Sequence, residues 1–293
     1  MPTCNPVGDE PRKTAVVDHF DRSAELWDQL YEDDSRAIPV QYRVFMRQRV
    51  RLVLDACDSF AGQQVLRVLD LGCGAGKLGQ ALAERGHWVV GADLSEAMLR
   101  RALPARGGRN REAVSFLRAD AELLPFRNNS FDVVCCLGLL EYLEHDRLIL
   151  QQIDSLLRPG GLLVLTLPNL AKLCYLLDPY YYLVRGVDFA VHTLGGRRTH
   201  SPNADDVHGN RSFVVRRFLR GHLDGPLRER GYRLVSRDPV GFGPFTFWQR
   251  PLGSEEGCVR WSGRLDALCG VRGFHWFGFF ANRWVSAYSK ASQ

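Results

Sequence analysis

This sequence predicts an α/β fold with a seven-stranded, mostly parallel sheet and helices on both faces, and three observations carry that prediction. Short apolar runs alternate with helical patterns from Val65 onward; a glycine-rich turn, Gly72 to Gly76, follows the first of those runs; and Pro159-Gly160-Gly161 lies between a helical pattern and the fifth run. Strands separated by helices of such length build βαβ units, whose crossovers cover a parallel sheet on both faces. Composition agrees, because a chain of 293 residues with 45% hydrophobic and 24% charged side chains has enough apolar mass for a sizeable core.

Residues 1–13 are polar and proline-containing, which predicts a disordered leader. They lack the apolar stretch of a signal peptide, and no later run is long enough to span a bilayer. Eight cysteines without a C-x-x-C pair or a regular framework fit reduced thiols, so the expected location is cytoplasmic. Residues 14–60 form an expected N-terminal helical lid. In it Val16, Val17, Phe20, Leu26, Trp27, Leu30 and Tyr31 recur at helical spacing, with a break allowed near Ser23. A second helix is predicted from Val40 to Cys57, with Arg43, Arg47, Arg49 and Arg51 as its solvated face.

Residues 61–293 make the main domain. The first five strands are predicted at Val65–Leu71, Trp88–Asp93, Val114–Ala119, Phe131–Leu137 and Leu162–Leu167, with Pro159 to Gly161 as the turn that launches the fifth. The alternation then stops, and an insertion is expected at about 170–210, Tyr-rich at first and polar later. A helix over Arg211–Arg230, a sixth strand over Tyr232–Val240 and a seventh over Phe280–Ser289 complete the pattern.

The segment Val68 to Gly79 places Gly72, Gly74 and Gly76 between an apolar strand and a helix. Missing side chains let the backbone turn sharply and approach a ligand, while the next helix offers free N–H groups. The glycines depart from the G-x-G-x-x-G order of a dinucleotide site. Asp93 ends the second strand, where a carboxylate can accept from both hydroxyls of a ribose. Asp120-Ala121 follows the third, where a carboxylate can accept from an adenine amino group. Singly, each acid also fits a helix cap or a surface turn; their order around one sheet favours a single ligand.

These residues resemble the class I S-adenosylmethionine-dependent methyltransferase family, with its Rossmann-like sheet. Asp70, Gly72, Gly74 and Gly76 match the D-x-G-x-G-x-G loop, and the resemblance is close over about Val65 to Asn169. It implies S-adenosyl-L-methionine as cofactor. Asp70, Gly72, Cys73, Gly74 and Gly76 would then hold the methionine part, Asp93 the ribose, and Asp120 and Ala121 the adenine, with Leu94 and Leu137 also against the cofactor. The Asn/Asp-Pro-Pro-aromatic signature of base-amino methyltransferases is absent after the fourth strand, where Leu137-Gly-Leu-Leu140 stands.

After Leu140 comes Glu141-Tyr-Leu-Glu144-His145. On a helix, Glu144 and His145 would share a face with Glu141, and two carboxylates with an imidazole suit a divalent ion that could acidify an acceptor hydroxyl. A solvated helix start explains the glutamates equally, so both readings stand. The pattern loosely resembles the ubiquinone-biosynthesis O-methyltransferases, and also the small-RNA 3′-end 2′-O-methyltransferases. Both branches supply a further histidine after the fifth strand, and the candidate here is His208, with His200 and His192 in reserve. Without a metal, His145 or His208 is the candidate general base.

The aromatic tail, Gly241 to Trp248 and Gly273 to Phe280, is expected mainly in the core, with the remainder walling a pocket for a hydrophobic or aromatic small-molecule acceptor. A net charge of +5 without a lysine cluster gives no footprint for a nucleic-acid partner. The expected reaction is O-methylation of a hydroxyl on a hydrophobic or phenolic molecule. N- or C-methylation, or cofactor binding without turnover as a partner protein, are the alternatives.

Overall fold

The computed structural model describes residues 10–31, 38–102, 111–144, 146–183, 215–248, 250–271 and 274–292. Two helices open the chain, α1 (Glu10–Gln29) and α2 (Val40–Ala61). The alternating part follows as β1 (Arg67–Leu71), α3 (Lys77–Glu84), β2 (Trp88–Asp93), α4 (Glu96–Ala102), β3 (Val114–Arg118), β4 (Phe131–Leu137), α5 (Asp146–Leu156) and β5 (Leu157–Pro168). After α6 (Leu173–Leu177) come the helix Asp224–Glu229, β6 (Tyr232–Val240), a small hairpin of β7 (Thr246–Phe247) and β8 (Arg250–Pro251), the helix Glu255–Cys269 and β9 (Arg283–Lys290).

The main sheet has the order β3-β2-β1-β4-β5-β9-β6. β1 pairs in parallel with β2 and β4, as do β2 with β3 and β4 with β5, while β9 is antiparallel to both β5 and β6. The expected seven-stranded Rossmann-like sheet is therefore present. Successive side chains leave a strand on opposite faces. Leu69, Leu71, Val134, Cys136, Leu163 and Leu165 accordingly pack with Ile149, Leu150, Ile153 and Leu156, carried by α5. Val68, Val133, Cys135 and Val164 pack on the other face with Val53, Leu54 and Cys57 of α2 and Leu78 and Leu82 of α3. Each such buried aliphatic side chain contributes about 1.5–3 kcal/mol. Burial on two faces explains why residues 133–137 of β4 read as continuous apolar sequence.

Several local expectations change. Helix α1 begins at Glu10, inside the expected leader, and runs unbroken through Ser23, whose hydroxyl donates to the His19 carbonyl at 2.6 Å. Pro159 to Gly161 is no turn before the strand, because β5 starts at Leu157, directly after α5, and the register against β4 shifts between Phe131↔Leu157 and Val133↔Leu162. The helix expected over Arg211–Arg230 is confined to Asp224–Glu229 among the described residues. Ahead of it, Phe218 bridges to Asn169, and the Arg216 and Phe218 N–H groups donate to the Glu141 and Pro168 carbonyls, both at 2.9 Å, so tertiary bonds take that backbone out of a helix. The helix Glu255–Cys269 was not foreseen, although Ser254 caps it by accepting from the Gly257 N–H. Most of the insertion expected at about 170–210 lies outside the described residues, which stop at 183 and resume at 215. None of the described helices is long and apolar enough to cross a membrane.

Candidate functional site

The C-terminal ends of β1, β2, β3 and β4 open on one cavity beneath the N-terminal helices. Beyond Leu71 the backbone turns through Gly72, Gly74 and Gly76, all left-handed, with φ of +71°, +54° and +72°. That region is strained for a side chain-bearing residue, which is why glycine stands there. The turn is tied to β2: Gly72 and Cys73 both donate their N–H to the Ala92 carbonyl, at 2.8 and 3.1 Å. Asp93 braces it further, accepting from the Gly74 N–H at 2.8 Å through one oxygen and from the Ser95 N–H at 2.8 Å through the other.

Asp70, Gly72, Cys73, Gly74, Asp93, Leu94, Asp120, Ala121 and Leu137 all line this cavity. Gly76 is not on the wall. A Cβ on it would stand 2.5 Å from Cζ of Phe116, so packing behind the loop also requires a glycine there. Asp70 is only 2% exposed. Burial, with Asp93 nearby, pushes its carboxyl up to about 7 against the opposing pull of Arg49 and the Gly79 N–H. Burial likewise raises Asp93. One Asp70 oxygen, Oδ2, is buried without a hydrogen-bond partner.

Helix α1 crosses the cavity with Lys13, Val16, Val17, Phe20 and Trp27 on its wall. Lys13 donates to Asp120 at 2.9 Å and pairs with Glu122; Asp21 accepts from the Ser95 hydroxyl; Asp28 pairs with Lys77 at 2.8 Å. Phe20 meets Tyr142 edge-on at 5.0 Å between ring centroids. The expected lid helix is thus pinned to the ends of three strand–helix turns.

At the far wall the sequence expectation needs correcting. Residues 140–142 form a turn and α5 starts only at Asp146, so Glu141 and Glu144 do not share a helical face. Glu141 is 1% exposed and accepts from Arg283 at 2.5 Å, and its carbonyl takes the Arg216 N–H at 2.9 Å. Glu144 is exposed and faces Arg12 at 3.4 Å. One carboxylate points inward to a guanidinium and the other outward, so they do not form a donor set for a divalent ion. Among the described residues no group of three or more His, Cys, Asp or Glu could hold a metal. His145 and His208, with His192 and His200, lie outside the described residues.

Sequence reasoning missed the cationic part of the wall, which comprises Lys13, Arg49, Lys77 and Arg283. Arg47 and Arg51 are exposed as expected of a solvated face, but Arg43 and Arg49 are buried. The available signal was their spacing: Arg49 falls one turn from Phe45 and Val53, on the apolar side of α2. The aromatic tail supplies no wall residue. Phe242 stacks on Phe277 at 5.5 Å in a separate cluster, whereas Trp248 and Trp276 are exposed. The aromatic wall is built by Phe20, Trp27, Tyr31 and Tyr142 instead.

A glycine cradle, an acid that ends β2, an acid that follows β3, and a buried acid with an open oxygen in β1 fit an adenosine carrying a cationic amino-acid arm. Residues 69–165 match the family model described as a methyltransferase domain. The chain is 30% identical over 134 residues to a ubiquinone biosynthesis O-methyltransferase of Colwellia psychrerythraea, covering 45% of this chain and 54% of that protein. It is 35% identical over 129 residues to the Idiomarina loihiensis protein of the same name, covering 44% of this chain and 50% of that one. The chain therefore spans about half the length of the curated relatives it matches. Among solved structures, magnesium protoporphyrin IX methyltransferase from Synechocystis with bound S-adenosylhomocysteine superposes with a TM-score of 0.63 at 18% identity, covering 96% of this chain and all of that one. The Burkholderia thailandensis 1,6-didemethyltoxoflavin-N1-methyltransferase gives 0.58 at 16% identity, covering 100% of this chain and 93% of that one. At such identities the two structures speak for the fold alone.

Proposed function

We propose that this chain, whose residues 69–165 match a methyltransferase-domain model, is a class I S-adenosylmethionine-dependent methyltransferase that O-methylates a hydroxyl on a hydrophobic or phenolic small molecule. The cofactor, when bound, supplies a methyl group on a cationic sulfur, electrophilic enough that transfer needs little beyond alignment with a nucleophile. The Gly72–Gly76 backbone and Asp70 take its methionine part, Asp93 and Leu94 its ribose, Asp120 and Ala121 its adenine, and Leu137 lies against it.

The observation that carries the acceptor class is the roof: Val16, Val17, Phe20 and Trp27 close the same cavity whose floor carries the acids and glycines. An apolar, aromatic roof favours a hydrophobic acceptor and excludes water from the reacting atoms. The curated O-methyltransferase relatives, aligned over the cofactor half, support oxygen as the acceptor atom. The proton of the hydroxyl passes to a general base, and His145 or His208 is assigned that role. The reaction as proposed uses no divalent ion, because Glu141 is engaged by Arg283.

The test is incubation with isotopically methyl-labelled cofactor and a panel of catechols, phenols and hydroxylated prenyl-quinone precursors, matched by amine analogues. Label in a methyl ether supports the reading. Label only in amine products, or turnover that vanishes on chelation, overturns the acceptor or the metal-free chemistry.

A further inference from the structure

Among the described residues, Glu141 is the one acid on the cavity wall to which the cofactor assignment gives no part. It lies just beyond Leu137, the last residue of β4, and its residue is 1% exposed. Its backbone is fixed, since its carbonyl accepts the Arg216 N–H at 2.9 Å. The two carboxylate oxygens differ: Oε1 accepts from Arg283 at 2.5 Å, whereas Oε2 is buried without a hydrogen-bond partner. A guanidinium that served only to neutralise the acid would do so best as a two-pronged pair on both oxygens. A buried carboxylate oxygen left unmet is costly unless a ligand completes it.

The neighbours of Glu141 decide the chemistry of that ligand. Gly138 is left-handed, with φ of +70°, and a Cβ there would stand 3.0 Å from Arg49 Nη1 and 3.7 Å from Glu141 Oε1. The missing side chain therefore lets a second guanidinium come near the carboxylate. With Arg283 and Arg49 both close, the negative charge is already matched and a further cation would be repelled. A neutral donor fits Oε2 better than an ammonium does. Position along the sheet says where that donor comes from. In the order β3-β2-β1-β4, the adenine, ribose and methionine contacts are assigned to the ends of β3, β2 and β1, and Glu141 lies past β4, on the side of the glycine turn away from the ribose. Leu139, Tyr142 and Leu143 stand beside it on the wall, so one hydrogen-bond acceptor is set among largely apolar groups.

Resting on the proposed transfer to a hydroxyl, we propose that Glu141 is a catalytic residue whose Oε2 accepts the hydrogen bond of the acceptor's hydroxyl and takes its proton as the methyl group moves. The hydroxyl oxygen forms the new bond to the methyl carbon, the carbon–sulfur bond breaks with its electron pair left on sulfur, and the proton passes from oxygen to Oε2. The histidine assigned as base then takes the proton from the carboxyl group and restores the carboxylate. A methyl ether has no O–H to offer, so the product leaves Oε2 unmet and is held less tightly than the substrate.

The test measures methyl transfer to the panel of catechols, phenols and hydroxylated prenyl-quinone precursors by the unmodified protein and by Glu141→Gln, with calorimetry of S-adenosylhomocysteine alongside. Losing a hydrogen bond to a charged group predicts that kcat/KM falls by about ten- to a hundred-fold for each phenol that the unmodified protein methylates, while S-adenosylhomocysteine affinity stays within about twofold. Glu141→Asp, which keeps the charge on a shorter stem, restores part of the loss. Unchanged transfer in Glu141→Gln overturns the inference, and so does an equal loss of S-adenosylhomocysteine affinity. A merely structural role is separated by the product: with S-adenosylhomocysteine saturating, the unmodified protein should bind each such phenol about tenfold more tightly than its methyl ether, and Glu141→Gln should erase that gap. A gap that survives the substitution refutes the assignment. If Glu141→Gln does not fold, the unmodified protein decides by the same comparison, and equal binding of phenol and ether counts against Glu141. An unmodified protein that labels no hydroxyl at all would sink the O-methylation reading, a result distinct from these.

Discussion

The Lys13 ammonium lies 2.9 Å from the Asp120 carboxylate, joining the first turn of α1 to the acid that follows β3. A lid helix is thereby anchored on a group assigned to the adenine.

Both partners are partly exposed, so their pairing contributes at most about 1 kcal/mol to stability. Lys13→Met is expected to leave the unfolding midpoint almost unchanged while loosening α1 over the cavity. Stopped-flow displacement should show S-adenosylhomocysteine leaving several times faster. An unaltered dissociation rate would show that α1 does not retain the ligand.

Asp93→Ala should damage cofactor binding more than Asp120→Ala. Asp93 accepts the Gly74 and Ser95 N–H groups besides its assigned ribose contacts, and each buried donor left unpaired costs about 1–3 kcal/mol. A loss of roughly tenfold or more in affinity, with a lower unfolding midpoint, is expected for Asp93→Ala. Calorimetry of the two variants side by side decides it, and a larger loss in Asp120→Ala would reverse the ranking of the two acids.

Asp70 sets a pH dependence. Burial first, then Asp93, raises its folded value from 3.8 to about 7, so between those values the folded chain keeps a proton that the unfolded chain releases. Its contribution is fully present below pH 3.8 and is lost as pH rises through about 7, a swing of the order of 4 kcal/mol. Urea unfolding of the ligand-free protein from pH 4 to 8 should show this decline, and Asp70→Asn, isosteric with the neutral acid, should flatten it. A variant as steep as the parent would rule Asp70 out as the cause.

Gly76→Ala is expected to lower stability by roughly 2–3 kcal/mol, combining a left-handed backbone with a Cβ driven into Phe116. Phe116→Leu in the same chain should recover part of the steric cost, leaving the contact with Ala102 Cβ at 2.9 Å and the backbone part. A double-mutant cycle in denaturant measures the coupling, and strict additivity would place the clash elsewhere.

The parallel part of the sheet was legible because its central strands are largely buried and so write themselves as short apolar runs: Trp88–Asp93 and Phe131–Leu137 have the bounds the pattern predicts. The glycine turn was legible for a backbone reason, since φ near +70° at Gly72 and Gly76 restricts the residue type locally. Harder to read was any element whose conformation is settled by a distant partner. The stretch around Phe218 has helical periodicity yet its backbone bonds to Glu141 and Pro168 instead, and Glu141 and Glu144 look like one cluster yet face opposite ways.

By itself, then, the sequence determined the sheet, the turn and the row of acids at Asp70, Asp93 and Asp120, because each follows from local periodicity or local backbone geometry. Only the tertiary structure decided what meets those acids. Arg49 read as part of a solvated helix face and Lys13 as part of a leader, and the places of Lys13, Arg49 and Arg283 on the cavity wall come from α1 and α2 folding over a sheet that starts later in the chain, and from β9 returning antiparallel beside β5. A charged side chain carries no periodic trace of the partner it will find more than a hundred residues away, as Lys13 finds Asp120 and Arg283 finds Glu141.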